Sequence, residues 1–469
     1  MSMQRFTRYF ADIVVLLLIA VLLIAVPLLR SNPIGNIGSE SYFLERMAQS
    51  LPYYDTLSYS GRAASFNRGT PLLMSFIPES YWNYFAFGVT YLVAVLFWLL
   101  LRKFNVEKRW MALLLFALTP TSLYLASAPN RFIIPLALLL LSMFLFLQEI
   151  KLLKQLAVIV VMLIPFFDFV FAGLALLILI IFGISRHYSR RYFLVGAALL
   201  FLTSLAYFLF LYNMAGMPSL FNPESQFFGL NYSLRMLISD FGSYAGISLF
   251  SLILFVLGVI SVWPQKYSRL SVFLLVFSLI ILSFFRIEAV ILFSLVVAVF
   301  SALGIDSLIK SNWENSTLKY MVLVIISCGL LFSFVAYTKE LVNSEPNQGI
   351  VFAMEFLENR PDGVVFSDYS RGNWIASAGK KNVIDQNFLF APDIKERYND
   401  SRTLLYTRDY NEALALFQKY SIRYIWMDDS LKDKLYSGRD EGLLFLVKYS
   451  ANIKSIYNQD GVQIWEIVN

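Results

Sequence analysis

Ten apolar runs crowd the first 340 residues, and they leave few folds open to this chain. They fall near residues 11–29, 83–101, 111–127, 131–147, 156–184, 192–212, 244–262, 270–285, 288–304 and 320–337. Most are long enough to cross the ~30 Å hydrocarbon layer of a bilayer as a helix. Backbone groups have no water to bond there, so the segments must satisfy themselves as helices. The run Leu156–Ile184 is too long for one helix and carries "IPFFDF", where Pro165 removes a donor and Asp168 is a charge that an apolar slab resists. Read as two helices, it puts Arg102, Lys103, Lys108, Arg109, Lys151, Lys154, Arg186, Arg190, Arg191, Lys266, Arg269, Lys310 and Lys319 on the side of the N-terminus. Read as one, it inverts half of them. The positive-inside rule therefore predicts about eleven helices, with the N-terminus cytoplasmic and the C-terminus outside. Arg5 and Arg8 precede the first run, which lacks a small-residue cleavage site and reads as a signal anchor.

Composition agrees: 58% of the 469 residues are hydrophobic and 15% charged, outside the usual soluble range. The net charge of +6 sits in short clusters between apolar runs, a topological pattern without the basic face a nucleic acid needs. One cysteine, Cys328, and one histidine, His187, exclude an intrachain disulfide and a His/Cys zinc site. Any metal must be held by oxygen.

The predicted fold is a polytopic α-helical membrane domain over residues 1–340, with long external segments at 30–81 and 213–243. A small external α/β domain follows at 345–469, entered through "NSEPNQG". In it "GVVFSDYS" and "IRYIWMDD" read as buried strands and "DYNEALALFQKY" as a helix with an apolar stripe. No internal repeat is visible, so an inverted-repeat transporter has no direct support.

Charges in the apolar region mark functional candidates, since each costs about 2.5–3.5 kcal/mol at the centre of a spanning helix. Glu40, Arg131, Asp168, Asp240 and the pair Arg286 and Glu288 all fall at outer helix ends or loops. Each admits a plainer role. Glu40 suits a helix N-terminus, Asp240 an N-cap, Asp168 the tip of a hairpin, and the arginines reach for headgroups, or Arg286 and Glu288 satisfy each other. As a group, three carboxylates suit a hard cation, Mg²⁺ or Mn²⁺, and the arginines suit a lipid-borne phosphate, which the guanidinium fork pairs at two oxygens.

The stretch "GSESYFLER" around Glu40 resembles the first-loop acidic motif of GT-C glycosyltransferases, most closely the catalytic subunit of oligosaccharyltransferase and its archaeal relatives. Asp240 in "LISDFGS" stands where that family carries an acid at the end of its long external loop, and Arg286 where an arginine contacts the lipid diphosphate. "FSDYSRGNWI" is similar to the tryptophan-tryptophan-aspartate-tyrosine-glycine signature, keeping Asp368, Tyr369 and a displaced Gly372. The loop expected to hold the family's second acid reads "SAPNRF", without a carboxylate, and Asp168 stands in the next external loop. Phe366 and Ser367 replace the paired tryptophans.

The resemblance implies inverting transfer of a sugar or oligosaccharide from a polyprenyl-(di)phosphate-linked donor, at the outer face of a prokaryotic cell membrane, to a protein, lipid or glycan acceptor. Glu40, Asp168 and Asp240 would hold the metal and the nucleophile, Arg286 and Arg131 the lipid phosphate, and Asp368 and Tyr369 the acceptor. Tyr53, Tyr54 and Tyr59 stack on sugars or anchor in the interfacial belt. The alternatives are a transporter or flippase of a lipid-linked or anionic solute, and a non-catalytic relative.

Overall fold

The computed structural model describes residues 3–30, 36–50, 54–63, 68–185, 190–219, 230–265, 270–437 and 440–468. Tyr53, Arg186, His187, Lys266, Arg269 and residues 220–229 of the second external segment lie outside them. The chain divides into two units. One comprises Met1–Arg30, Glu79–Phe208 and Phe227–Asn343, the other Ser31–Pro78, Leu209–Gln226 and Ser344–Asn469.

In chain order, α1 (Met3–Leu29) leads to the first connection, with α2 (Gly38–Gln49), the short strands β1 (Tyr54–Asp55) and β2 (Arg62–Ala63), and α3 (Gly69–Ser75). Then come α4 (Trp82–Lys103), α5 (Arg109–Ala117), α6 (Pro120–Ser127), α7 (Ile133–Phe146), α8 (Lys151–Met162), α9 (Phe169–Ser185) and α10 (Arg190–Ala215). α11 (Leu230–Leu237), α12 (Leu249–Val262), α13 (Leu270–Ser283), α14 (Ile287–Lys310) and α15 (Ser316–Val342) complete the apolar region. The last segment adds α16 (Gln348–Glu358), β3 (Val364–Phe366), α17 (Gly372–Ser377), β4 (Lys381–Asn382), α18 (Ile394–Tyr406), α19 (Tyr410–Lys419), β5 (Ile422–Asp428), α20 (Asp429–Tyr436), α21 (Gly442–Tyr449), β6 (Ile453–Gln459) and β7 (Val462–Ile467).

Among the described residues, five helices are long and apolar enough to cross a membrane (in α1, α4, α10, α14 and α15), or six if α5 and α6 count as one span. The protein is an integral membrane protein. The single run expected at 111–127 is instead two helices bent by 61°. Pro120 supplies no amide hydrogen at the start of α6, and the Thr119 hydroxyl caps it by accepting from Ser122 N at 3.2 Å. The long run at 156–184 breaks in a 3₁₀ turn at Ile164–Phe166, around Pro165. Asp168 then caps α9, accepting from Phe171 N at 2.8 Å.

α14 is the axis of the membrane unit, 83% of its apolar window being buried, against 22% in α1 and α15. Small residues allow this. A Cβ on Gly258 of α12 would stand 1.8 Å from the Phe300 carbonyl oxygen, and one on Gly304 would stand 2.3 Å from that of Leu254. Ser301 donates to the Ser251 carbonyl at 2.9 Å, tying the same two helices. At their basic ends, Arg109 of α5 forks onto buried Asp12 of α1, its Nη2 donating at 2.6 Å.

The second unit is built on a five-stranded sheet, order β4-β3-β5-β7-β6, parallel through β4, β3 and β5 and antiparallel beyond. Both faces are covered, which explains the nearly continuous apolar sequence of β5. Ile425 and Met427 pack on one side with Phe417 and Leu443, and Tyr424 and Trp426 on the other with Ile350 and Trp374. Asp460 and Gly461 join β6 to β7 with φ of 49° and 79°, the left-handed pair a two-residue hairpin requires.

Candidate functional site

The first connection packs into the second unit. Tyr59 is 1% exposed and sits with Ile384, Ala391 and Ile394. Its hydroxyl donates to the Asp385 carbonyl at 2.8 Å, and Asn382 N donates to Leu57 O at 3.0 Å. Beside it runs an ionic chain. Arg46 pairs with Asp55, Asp55 with Arg62 at 3.5 Å, and Arg62 with Asp385 at 2.9 Å. The Arg62 guanidinium also lies between the rings of Phe43 and Tyr59, at 5.4 and 5.0 Å. Burial alone would raise the Asp55 carboxyl, but the Arg46 hydrogen bond and both arginine charges outweigh it and hold that carboxyl well below the usual range. Burial, with Asp385 beside it, pushes the Tyr59 phenol well up.

Glu40 occupies the first turn of α2, half-buried, where the helix N-terminus favours a carboxylate. α2 buries Ser39, Phe43, Leu44 and Met47 and packs against α3 and α17. Ser39 donates to Gln386 Oε1 at 2.5 Å. Asp368 is buried and caps the 3₁₀ turn Tyr369–Arg371, accepting from Ser370 N at 3.1 Å and Ser370 Oγ at 2.6 Å. Tyr369 packs on Phe388 and Tyr398, ring centroids 5.5 and 6.2 Å away. Arg371 closes the motif with a fork onto Asp428, both bonds 2.8 Å, and reaches Glu345 of the linker at 2.9 Å. Burial would raise Asp428, but Arg371 more than compensates and holds it low.

In the membrane unit, Arg131, Asp168 and Glu288 come together. Arg131 Nη2 lies 3.5 Å from Glu288 Oε1, and Asp168 is within electrostatic reach of both. Asp168 and Glu288 are 2% and 3% exposed, so this is a desolvated pair of acids compensated by one guanidinium. Arg286 and Glu288 do not satisfy each other. Arg286 is the exposed N-cap of α14 and makes no ion pair among the described residues. Asp240 is exposed and accepts from Leu249 N at 2.6 Å, closing the turn before α12. Neither exchanges a hydrogen bond or ion pair with the trio among the described residues. Glu40, Asp368 and Tyr369 belong to the other unit.

The acids expected to share a divalent cation do not gather as a metal group. The described residues hold no cluster of three or more His, Cys, Asp or Glu suited to one. Asp168 and Glu288 lie around Arg131, and Asp240 accepts from Leu249 N. Asp12, inside the first apolar run, and Asp385, the partner of Arg62 323 residues on, carried no local signal in the sequence.

No family model matches the chain, and no curated protein matches it in sequence. Solved structures do. The archaeal oligosaccharyltransferase AglB from Archaeoglobus fulgidus, in complex with an inhibitory peptide and a dolichol-phosphate, superposes with a TM-score of 0.65 at 14% identity, covering 99% of this chain and 74% of that one. The same enzyme with a tethered acceptor peptide containing the NVT sequon gives 0.63 at 13%, covering 99% and 74%, and its complex with Zn and sulfate 0.62 at 12%, covering 97% and 73%. The mycobacterial arabinofuranosyltransferase AftD gives 0.57 at 14%, covering 97% of this chain and 40% of its own length. The chain shares the fold of these proteins.

Proposed function

We propose that this protein is a membrane glycosyltransferase that moves a sugar or oligosaccharide from a polyprenyl-(di)phosphate carrier to an acceptor on the extracytoplasmic face, with peptide the favoured acceptor. The observation that carries the reading is the pair of buried acids Asp168 and Glu288 around the partly exposed Arg131, set in a fold whose similar structures include one with dolichol-phosphate and one with an acceptor peptide. In the proposed topology about eleven helices cross the membrane, the N-terminus is cytoplasmic, residues 1–340 form the membrane domain and 345–469 the external one.

In the reaction the bond from the anomeric carbon to the carrier phosphate breaks as the acceptor's nucleophilic atom bonds that carbon from the opposite face. The electron pair leaves on the phosphate oxygen, and the nucleophile's proton passes to a carboxylate. Arg131 is assigned to the phosphate, where a fixed guanidinium in a water-poor site opposes the developing charge without reorganising. Arg286, exposed at the head of α14, is the second phosphate ligand in this reading. Asp168 and Glu288 hold Arg131 in place. Glu40 is the proposed base, Asp240 orders the loop ahead of α12, and Asp368 with Tyr369 shapes the acceptor's seat.

The test is transfer from a polyprenyl-diphosphate oligosaccharide to a sequon peptide by the reconstituted chain. Arg131→Gln, Asp168→Asn and Glu40→Gln are each expected to lower the rate by about 10²–10³-fold, the usual loss for one pre-organised group. Wild-type rates in all three variants would falsify the assignment.

A further inference from the structure

A cavity of about 880 Å³ lies within the membrane unit, walled by α4, α7, α9, α13 and α14. That is near the top of the ~300–1,000 Å³ range of ligand pockets. Its walls are apolar, Phe97, Leu275 and Val296 among them, whereas its charged lining residues are Glu107, Lys108 and Asp306. These gather at one end, where α4 and α14 finish and α13 begins. Lys108 Nζ lies 3.4 Å and Lys310 Nζ 2.6 Å from the two Asp306 oxygens, and Glu107 is exposed beside them.

Water finds few polar partners along the apolar stretch of these walls, and an empty cavity forfeits dispersion contacts there. A hydrocarbon chain from the surrounding bilayer supplies them. The rim selects the head group: with an exposed acid next to a lysine in sequence, it carries both signs and so complements a head group that carries both. We infer that this cavity takes an acyl chain of a phospholipid from the leaflet at the basic end, with a phosphoethanolamine head group, its phosphate on Lys108 and its ammonium on Glu107. The site holds whichever reaction the charged trio serves, because none of Arg131, Asp168 and Glu288 lines it.

The full chain in nanodiscs containing a phosphatidylethanolamine with a diazirine in its acyl chain tests this. Photolabelling is expected on residues 270–279 and 292–303, and Val296→Trp, which fills the cavity, is expected to reduce it about tenfold, the factor that 1.4 kcal/mol of lost binding gives. Should that variant misfold, as gel filtration would show, Leu275→Trp from the neighbouring helix gives the same readout. Glu107→Gln with Lys108→Gln is expected to abolish the preference for phosphatidylethanolamine over phosphatidylglycerol. Labelling elsewhere, indifference to both tryptophans, an initial preference for phosphatidylglycerol, or displacement of the label by a polyprenyl phosphate would each overturn the inference.

Discussion

At the scale of single residues, the structure separates charges that compensate one another from charges that reach solvent. Asp55 stands between two arginines at 0% exposure, and its replacement takes the carboxylate from Arg46 and leaves Arg62 to Asp385 alone. Asp55→Ala is expected to cost about 3–5 kcal/mol, the usual result of removing one member of a buried pair, measured as a lower unfolding midpoint of the second unit. The same carboxyl sets an acid limit. Asp55 and Asp428 both have folded-state pKa values below their ordinary 3.8, so the stability they contribute is present above that value and is lost as pH falls beneath it. Fluorescence of buried Trp426 should be flat from about pH 5 to 8 and report unfolding below about 4, and Asp55→Asn should weaken that dependence. A cost is also expected at the trio: Arg131→Met strands two acids, destabilising the membrane unit by about 1–3 kcal/mol, less than a fully buried pair because the arginine is partly exposed.

At the scale of elements, the tight crossing of α12 and α14 rests on glycine. Gly258→Ala places a methyl group where the Phe300 carbonyl already stands, so the helices must part and lose the Ser301 to Ser251 hydrogen bond. A drop in thermal stability of the detergent-solubilised protein is expected, larger than for Gly88→Ala, whose added methyl meets nothing within 4 Å. Local chemistry made much of this layer legible. Pro165 and Asp168 marked the break between α8 and α9, and the apolar stripe of "DYNEALALFQKY" marked α19. Thr119 and Pro120 carried an equally good start signal for α6, hidden because the apolar run continues through it. The partner of Glu288 was not legible. Residues two apart do not face each other on a helix, which leaves Glu288 to Arg131 and not to Arg286. Nor was the Arg62 and Asp385 pair, 323 positions apart, since no local pattern encodes a contact of that range.

At the scale of the whole molecule, the second unit is assembled from distant pieces of chain. Residues 344–469 expressed alone lack Tyr59 and Arg62, so Asp385 loses its cation and the pocket of Ile384, Ala391 and Ile394 its ring. A loosely packed product is expected, with poor amide-exchange protection over 382–398, and fusion of residues 36–63 should restore it. A reporter placed at Asn399, in the sequon "NDS", is expected to lie outside the cytoplasm, and its recovery inside would remove the proposed orientation. The interleaving also imposes a timetable on biosynthesis. The hydroxyl of Tyr59 bonds a carbonyl 326 positions later, so at ~5–20 residues per second the ribosome delivers the partner roughly 15–65 s after the tyrosine is made. Throughout that interval Arg62 and a band of aromatics wait without their docking surface, which makes this early segment a place where a nascent chain needs a chaperone or the shelter of the translocation machinery.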